Sequence, residues 1–546
     1  MKSYAEEKRI RPDILTSAVF WSIIIMMFYN MISVRIFGDM GAGFCSGPSA
    51  LYFLLYISFI LAVQKSVYIM VRLRARRSQF LNAQANMVKS LRLFCAIGLV
   101  LSLGIGFGSY YIARSLLGAG KVYFQLIIVA ISLFFMCSQG VIRGYLQGLG
   151  YTRPIVIADL LISVSSFISG GIISGIMYSY GKKVNELFHG DEYSAIYGAS
   201  GMMIGLLVGS LVGFVQIFVS YELRKKEIAE IVKNGAPRYL DNKNDVYKGI
   251  RPILYLYASP VLMCLVDNII YNLIQMKNGN SRDMIAIYGA YNGRVVSFVI
   301  LLAFLCCLPF IKMWNKVMAR IERDELEGAR DRLKRLLHFT YMVLAPVATA
   351  LFVSSDMIQI TIFGKSNEQV SGLFQLGAIM LFFLSLGIFI SWLLNHMGKS
   401  LLLVVNISIA WAVHIGLILL LVLALNWELK GVVMAEIAGF VVYDIICIFM
   451  VLKMLKLRSN PLGNVGIPLA AAALSGLVLL AENKLLAAYI GEVLTLILGL
   501  VIYVIVYMIL LIVLRGIRTS ELEKIPMGKF LMGFSSRIQH DKYYEE

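Results

Sequence analysis

Fourteen apolar runs of about 20 residues recur along this chain, at 14–36, 48–71, 93–113, 122–142, 154–177, 199–221, 252–276, 285–311, 338–361, 372–394, 401–425, 431–453, 464–483 and 489–514. A helix of that length crosses a hydrocarbon core of roughly 30 Å. With 59% apolar and only 15% charged residues, a soluble fold has no way to hide so much hydrophobic surface. The expected class is an all-α integral membrane protein of fourteen transmembrane helices.

Charge sorts with the runs. Of the 50 Lys and Arg residues, 37 fall on the termini and the even-numbered loops, nine on the odd-numbered loops and four inside runs, one of these, Lys453, at the last position of its run on the cytoplasmic side. This is the positive-inside pattern, with both termini cytoplasmic. The net charge of +18 is then explained by short basic loops facing an anionic leaflet, and nucleic acid is not an expected partner. The seven cysteines lack CxxC spacing and His partners, which excludes a disulfide framework or zinc site. The polar start MKSYAEEKRIRPD leads into a full-length run without an A-x-A-like site, so the first helix is expected to be uncleaved.

Organisation follows from the loops. Residues 1–222 form an N-lobe of six spans, 223–251 a basic cytoplasmic linker, 252–456 a C-lobe of six spans, 457–516 two trailing spans and 517–546 a cytoplasmic tail. Residues 312–337 carry opposite charges at helical spacing, Glu325 with Arg330 and Asp331 with Arg335, and read as a single helix on the cytoplasmic surface. Residues 524–538 mix basic and apolar side chains, as a segment lying along the membrane does; a disordered tail is the alternative. Gln147-Gly148-Leu149-Gly150 has a counterpart in Asn395-His396-Met397-Gly398. Their spacing matches that between the first and seventh runs and points to two six-helix repeats enclosing a substrate path.

Lys453 at its run's edge aside, Arg35, Lys65 and Arg294 are the cations inside runs. Each costs at least about 2.5–3.5 kcal/mol at a span centre unless it meets water or an anion. Arg294 is expected to line a cavity and bind an anion, or else to pair with a buried acid. Lys65, preceded by Gln64, and Arg35, near a helix end, have snorkelling as their alternative. Several cations around a cavity suit a polyanion, and guanidinium pairs with phosphate through two parallel hydrogen bonds. Among the acids, Asp267 follows Pro260, where an interrupted helix frees carbonyl ligands for Na⁺ or a proton. Asn406 and Glu436 are its candidate companions, and a salt bridge with a cavity cation is the alternative. Asp159, Asp444 and Gln64 are cavity or structural candidates. His414 is either a proton relay or an interhelical hydrogen bonder.

The segment from Ser138 through Arg143-Gly144-Tyr145-Leu146-Gln147-Gly148 to Gly150, followed by Pro154, resembles the R-G-[YF]-x-Q-G turn of polysaccharide-type flippases. These belong to the multidrug/oligosaccharidyl-lipid/polysaccharide (MOP) exporter superfamily, and the resemblance is to the stage V sporulation protein B group and the MurJ-type lipid II flippases. Arg35-Ile36-Phe37-Gly38 with Gly41 and Gly43 is similar to that family's exit from the first helix. The resemblance implies a MATE-like fold of two six-helix lobes related by a pseudo-two-fold axis, plus a trailing pair. It implies a secondary transporter carrying an undecaprenyl-diphosphate-linked saccharide across the bacterial inner membrane. Arg35, Lys65 and Arg294 would hold the diphosphate, with Na⁺ or H⁺ coupling at Asp267, Asn406 and Glu436. Where such sodium-coupled members carry an acid one turn after the span-eleven Asn, this chain has Ala410.

Gly118-Ala119-Gly120-Lys121 lacks the spacing and hydroxyl of a phosphate-binding loop. No HExxH or nucleophile-elbow triad occurs either, so an enzyme is not expected. Membrane lipids and envelope-synthesis enzymes are the remaining expected partners. Two other functions stay open: a cation-coupled exporter of drugs or metabolites, and a non-transporting scaffold docking synthesis enzymes on 312–337.

Overall fold

The computed structural model describes residues 12–237, 250–278, 281–456 and 462–517. The N-terminal segment 1–11, the linker stretch 238–249 and the surface segment expected at 524–538 lie outside them. Among the described residues there is no β-strand. The helices are α1 (Pro12–Tyr56), α2 (Val63–Ala75), α3 (Phe80–Ser115), α4 (Tyr123–Leu149), α5 (Arg153–Phe188), α6 (Tyr193–Glu222), α7 (Lys225–Lys233), α8 (Ile250–Asn278), α9 (Ser281–Ala290), α10 (Ser297–Cys307), α11 (Ile311–Glu322), α12 (Leu326–Val353), α13 (Ser355–Phe363), α14 (Glu368–His396), α15 (Ser400–Ile418), α16 (Glu428–Met454), α17 (Ile467–Ile490) and α18 (Glu492–Val513). Short π-helical turns at Ile57–Ala62 and Tyr291–Val296 join α1 to α2 and α9 to α10.

Thirteen helical segments among the described residues are long and apolar enough to cross a membrane. The first, Asp13–Ala75, has 63 residues, about 95 Å of helix at 1.5 Å per residue, and so holds two crossings. It is broken at Gly38, whose φ of 77° and ψ of 179° lie outside helical space. Counted this way the described residues hold fourteen crossings, the number expected. The chain is a multi-pass membrane protein.

The chain forms two compact units, Met1–Leu305 with Gly398–Tyr443, and Cys306–Met397 with Asp444–Glu546. In the first unit, helices meet through small residues and side chain to carbonyl bonds, as packing within lipid requires. Tyr29 Oη donates to Met202 O at 2.8 Å, Tyr52 Oη to Leu206 O at 3.1 Å and Gln139 Nε2 to Ser210 O at 2.9 Å. The glycines of the flippase-like motif follow the same logic. Gly140, Gly144 and Gly148 stand at four-residue intervals on α4, and a Cβ on them would come within 2.0 Å of Phe59 O, 2.6 Å of Gln64 O and 2.5 Å of Val71 Cγ1. Gly140→Ala is expected to lower stability by about 1–3 kcal/mol through overpacking. Gly104→Ala, with nothing within 4 Å of its Cβ, should leave the thermal midpoint in detergent unchanged. Equal midpoints for the two variants would refute a tight α4–α2 seam.

In the second unit, Met342, Ala345, Ala471, Ala472, Tyr507 and Leu511 form a buried cluster of α12, α17 and α18. Tyr507 Oη donates to Met342 O at 2.8 Å and Tyr503 Oη to Pro346 O at 3.1 Å. The single surface helix expected over 312–337 is instead two. α11 ends at Glu322, Asp324 turns with a φ of 62°, and α12 starts at Leu326 and continues through the apolar run to Val353. Glu325 meets Arg320 at 3.7 Å, because this turn brings it back beside α11. The two turns proposed as repeats are alike: α4 ends before Gly150 and α14 before Gly398, with φ of 103° and 75°, the left-handed cap that glycine favours.

Candidate functional site

Arg294 sits in the π-helical turn Tyr291–Val296 and is 2% exposed. A π turn carries an extra residue per turn and shifts the side chains that follow it. The backbone of α1 comes unusually close here. A Cβ on Gly43 would lie 2.1 Å from Ile285 O, and one on Gly289 2.0 Å from Asp39 O. With the break at Gly38, this glycine seam puts Asp39 against the guanidinium. Arg294 Nε and Nη2 donate to Asp39 Oδ1 and Oδ2, both at 2.6 Å. That is the two-pronged geometry guanidinium uses for carboxylate and phosphate alike. Arg294 therefore has a half-buried acid as its partner, since the Asp39 side chain keeps 19% exposure.

Lys65 is half-buried, its Nζ 5.6 Å from the centre of the Tyr68 ring. Gln64 Nε2 donates to Gln147 Oε1 at 2.8 Å, tying the second crossing to the α4 motif. Arg35 is exposed. An apolar cavity of about 200 Å³ lies between α1, α3 and α8, lined by Gly47, Leu51, Ile105, Ile112, Leu117 and Leu265 among others. None of the three cations lines it.

The acids gather on the other side of the π turn. Asp267 on α8 is 3% exposed, and its Oδ1 is 2.7 Å from His414 Nε2 on α15. Glu436 on α16 is also 3% exposed and accepts a 2.6 Å bond from Tyr291 Oη. Asp267 and His414 are both near enough to Glu436 to act on its charge, and Cys264 and Tyr288 adjoin the same carboxylates. Asn406 is buried on the face of α15 that carries Ala410 and His414. The hydrogen-bond partner that the fold gives Asp267 is thus His414. α8 also runs unbroken through Pro260, so the predicted helix interruption is absent. In the membrane a proline kink is tolerated without a break because neighbouring groups satisfy the backbone; next to it, Ser259 Oγ accepts from Trp411 Nε1 at 2.7 Å.

Asp159 is paired with Arg143, itself fully buried on α4, with the Tyr56 hydroxyl beside them. Hydropathy ends the fourth run at 142 and leaves Arg143 in a loop; the structure moves it inside. Asp444 is 1% exposed, and neither carboxylate oxygen has a hydrogen-bond partner. At the α5–α6 turn, Glu192 meets Lys121 at 2.8 Å and Arg282 at 2.6 Å. Burial alone would raise its pKa, but these two cations hold the carboxyl below its usual range. Sequence reasoning missed Asp39, Tyr291 and Arg143. Among the described residues, no three His, Cys, Asp or Glu side chains are grouped to hold a metal.

No family model and no curated protein matches the sequence. Solved structures do. A lipid II flippase, MurJ, in an inward closed conformation aligns over 91% of this chain and 97% of its own, with a TM-score of 0.63 at 16% identity. The chain shares the fold of this structure. An inward-facing multidrug resistance MATE transporter of the MOP superfamily aligns over 81% of this chain and 99% of its own, at a TM-score of 0.58 and 15% identity. A MATE protein in a bent conformation aligns over 81% and 96%, at 0.56 and 16%. Within this fold the Asp39–Arg294 seam and the Asp267–His414 and Glu436–Tyr291 pairs all lie in one unit of the chain.

Proposed function

We propose that this protein is a flippase that moves a polyprenyl-diphosphate-linked saccharide, lipid II or another envelope precursor, across the bacterial inner membrane. The observation that carries the reading is the buried Arg294 guanidinium, held in a fork that a diphosphate would fit as well as Asp39 does. Likeness to the lipid II flippase supports it.

In this reading the substrate diphosphate displaces Asp39 from Arg294, and Arg35 and Lys65 add charge along the path. Asp267 with His414, and Glu436 with Tyr291, form the coupling centre for H⁺ or Na⁺, with Asn406 as a neighbour on α15. Tyr291 and Arg294 stand three residues apart on one π turn. A change in the Tyr291–Glu436 bond therefore moves the backbone that holds Arg294. Such a shared two-state element is what joins ion binding to substrate binding.

The test uses the full-length protein in proteoliposomes. Faster outward appearance of a fluorescent undecaprenyl-diphosphate saccharide than in empty vesicles is expected, with no accumulation of ethidium. Ethidium transport without lipid movement would replace the reading by a cation-coupled exporter. Movement of neither would favour a scaffold of envelope-synthesis enzymes.

A further inference from the structure

The second unit contains an acid that the transport reading does not use. Glu482 lies on α17, two turns before the helix ends at Ile490, and is 9% exposed. Neither Oε1 nor Oε2 reaches solvent or has a hydrogen-bond partner. Next to it, Asn483 Oδ1 is equally shielded and unpartnered, while its Nδ2 donates to Ser354 Oγ at 3.2 Å, at the break between α12 and α13. Across from both, on α18, is Gly499. A Cβ on Gly499 would lie 3.4 Å from Asn483 Oδ1 and 3.6 Å from Glu482 Oε2, so the two oxygens face one point. Three shielded acceptor oxygens on adjacent residues thus lack a donor, and two of them face the same glycine. The surrounding faces of α17 and α18 present Leu477, Leu480, Leu485, Leu494, Leu498 and Ile502 outward, as lipid-facing helices do.

An ionised carboxylate accepts hydrogen bonds and donates none. Leaving that charge unpaired in a medium of low polarity costs several kcal/mol, which a bound proton removes. Other charges do not answer it. Asp356 on α13 is bonded to Ser371, Tyr503 on α18 donates to Pro346 O, and Lys484, the next residue on α17, is exposed. Turning the Asn483 amide over would offer one neutral N–H to a full negative charge. A proton does more: it removes the charge and turns one carboxyl oxygen into a donor.

We propose that Glu482 and Asn483 form a proton-binding site at the α17–α18 seam, with Glu482 un-ionised at neutral pH. The site is independent of the lipid-transport reading. Releasing its proton would force the carboxylate out of the seam opposite Gly499, so proton occupancy is tied to the packing of the trailing pair.

The experiment compares infrared spectra of the purified full-length wild type and Glu482→Gln at pH 7. Gln matches a neutral acid in size and, like it, carries both a donor and an acceptor. The variant is therefore expected to keep the wild-type thermal midpoint and to lose intensity only in the C=O stretch of an un-ionised carboxylic acid. Loss of intensity in the ionised carboxylate stretches would overturn the proposal. So would a variant that fails to fold, since a neutral mimic would then not replace the native side chain. A third refutation is a wild-type midpoint that rises in NaCl over choline chloride and does so no longer in Glu482→Gln, which would make the occupant Na⁺.

Discussion

Replacing Arg294 by Ala is expected to weaken binding of undecaprenyl-diphosphate lipid by about 10–100-fold, whereas Asp39→Asn is expected to strengthen it. The first figure follows from charge-assisted hydrogen bonds worth about 1.5–3 kcal/mol and a tenfold change for each 1.4 kcal/mol. The opposite sign for Asp39→Asn follows from competition. In the structure Asp39 occupies both prongs of the guanidinium, so a phosphate gains only the difference between itself and that carboxylate. Asn keeps the shape and removes the charge. Its cost falls on stability, because Arg294 is 2% exposed and breaking a buried pair on one side destabilises by about 3–5 kcal/mol. Asp39→Asn should therefore unfold at lower temperature yet retain the lipid better in native mass spectrometry. Arg294→Lys should fall between wild type and Ala, since an ammonium lacks the fork. If Asp39→Asn loses stability without gaining lipid, the pair is purely structural and the diphosphate binds elsewhere.

Sequence carried the fold far because fourteen apolar runs and a charge asymmetry are one-dimensional signals. It carried the site only halfway. Arg294 stood out as a guanidinium inside an apolar run, but its partner lies 255 residues away, in the glycine-rich stretch that reads as an exit from the first helix. The chain instead re-enters a helix at once after Gly38. Tyr291 gave no signal, since a tyrosine in a span is ordinary until a π turn aims it at Glu436. Arg143 was hidden by a hydropathy boundary one residue before it. His414 was visible, and its reading as an interhelical hydrogen bonder agrees with the bond to Asp267, but no periodicity relates α15 to α8. The break at Asp324 was illegible for a different reason: charges continue at helical spacing on both sides of it. Contacts between helices distant in sequence depend on packing, which local pattern does not encode.

His414→Ala is expected to lower stability by about 3–5 kcal/mol, because it removes the 2.7 Å bond to a carboxylate that is 3% exposed. Asp267→Asn should cost less, since neither an uncharged amide nor an imidazole left behind carries an unpaired charge. The double variant should then be more stable than the sum of the two losses, by roughly 0.5–3 kcal/mol for a direct pair. Thermal unfolding of the four proteins in one detergent gives this cycle, and additive losses would deny the pair. Transport supplies the second half of the argument. With wild type, an imposed ion gradient should accelerate lipid movement; with Asp267→Asn the gradient should have no effect while downhill movement persists. Separate losses would reveal which link has failed. An Asp267→Asn protein that still follows the gradient places coupling outside this cluster. One that binds lipid but moves none shows that Asp267, through Glu436 and Tyr291, is needed to shift the turn that holds Arg294.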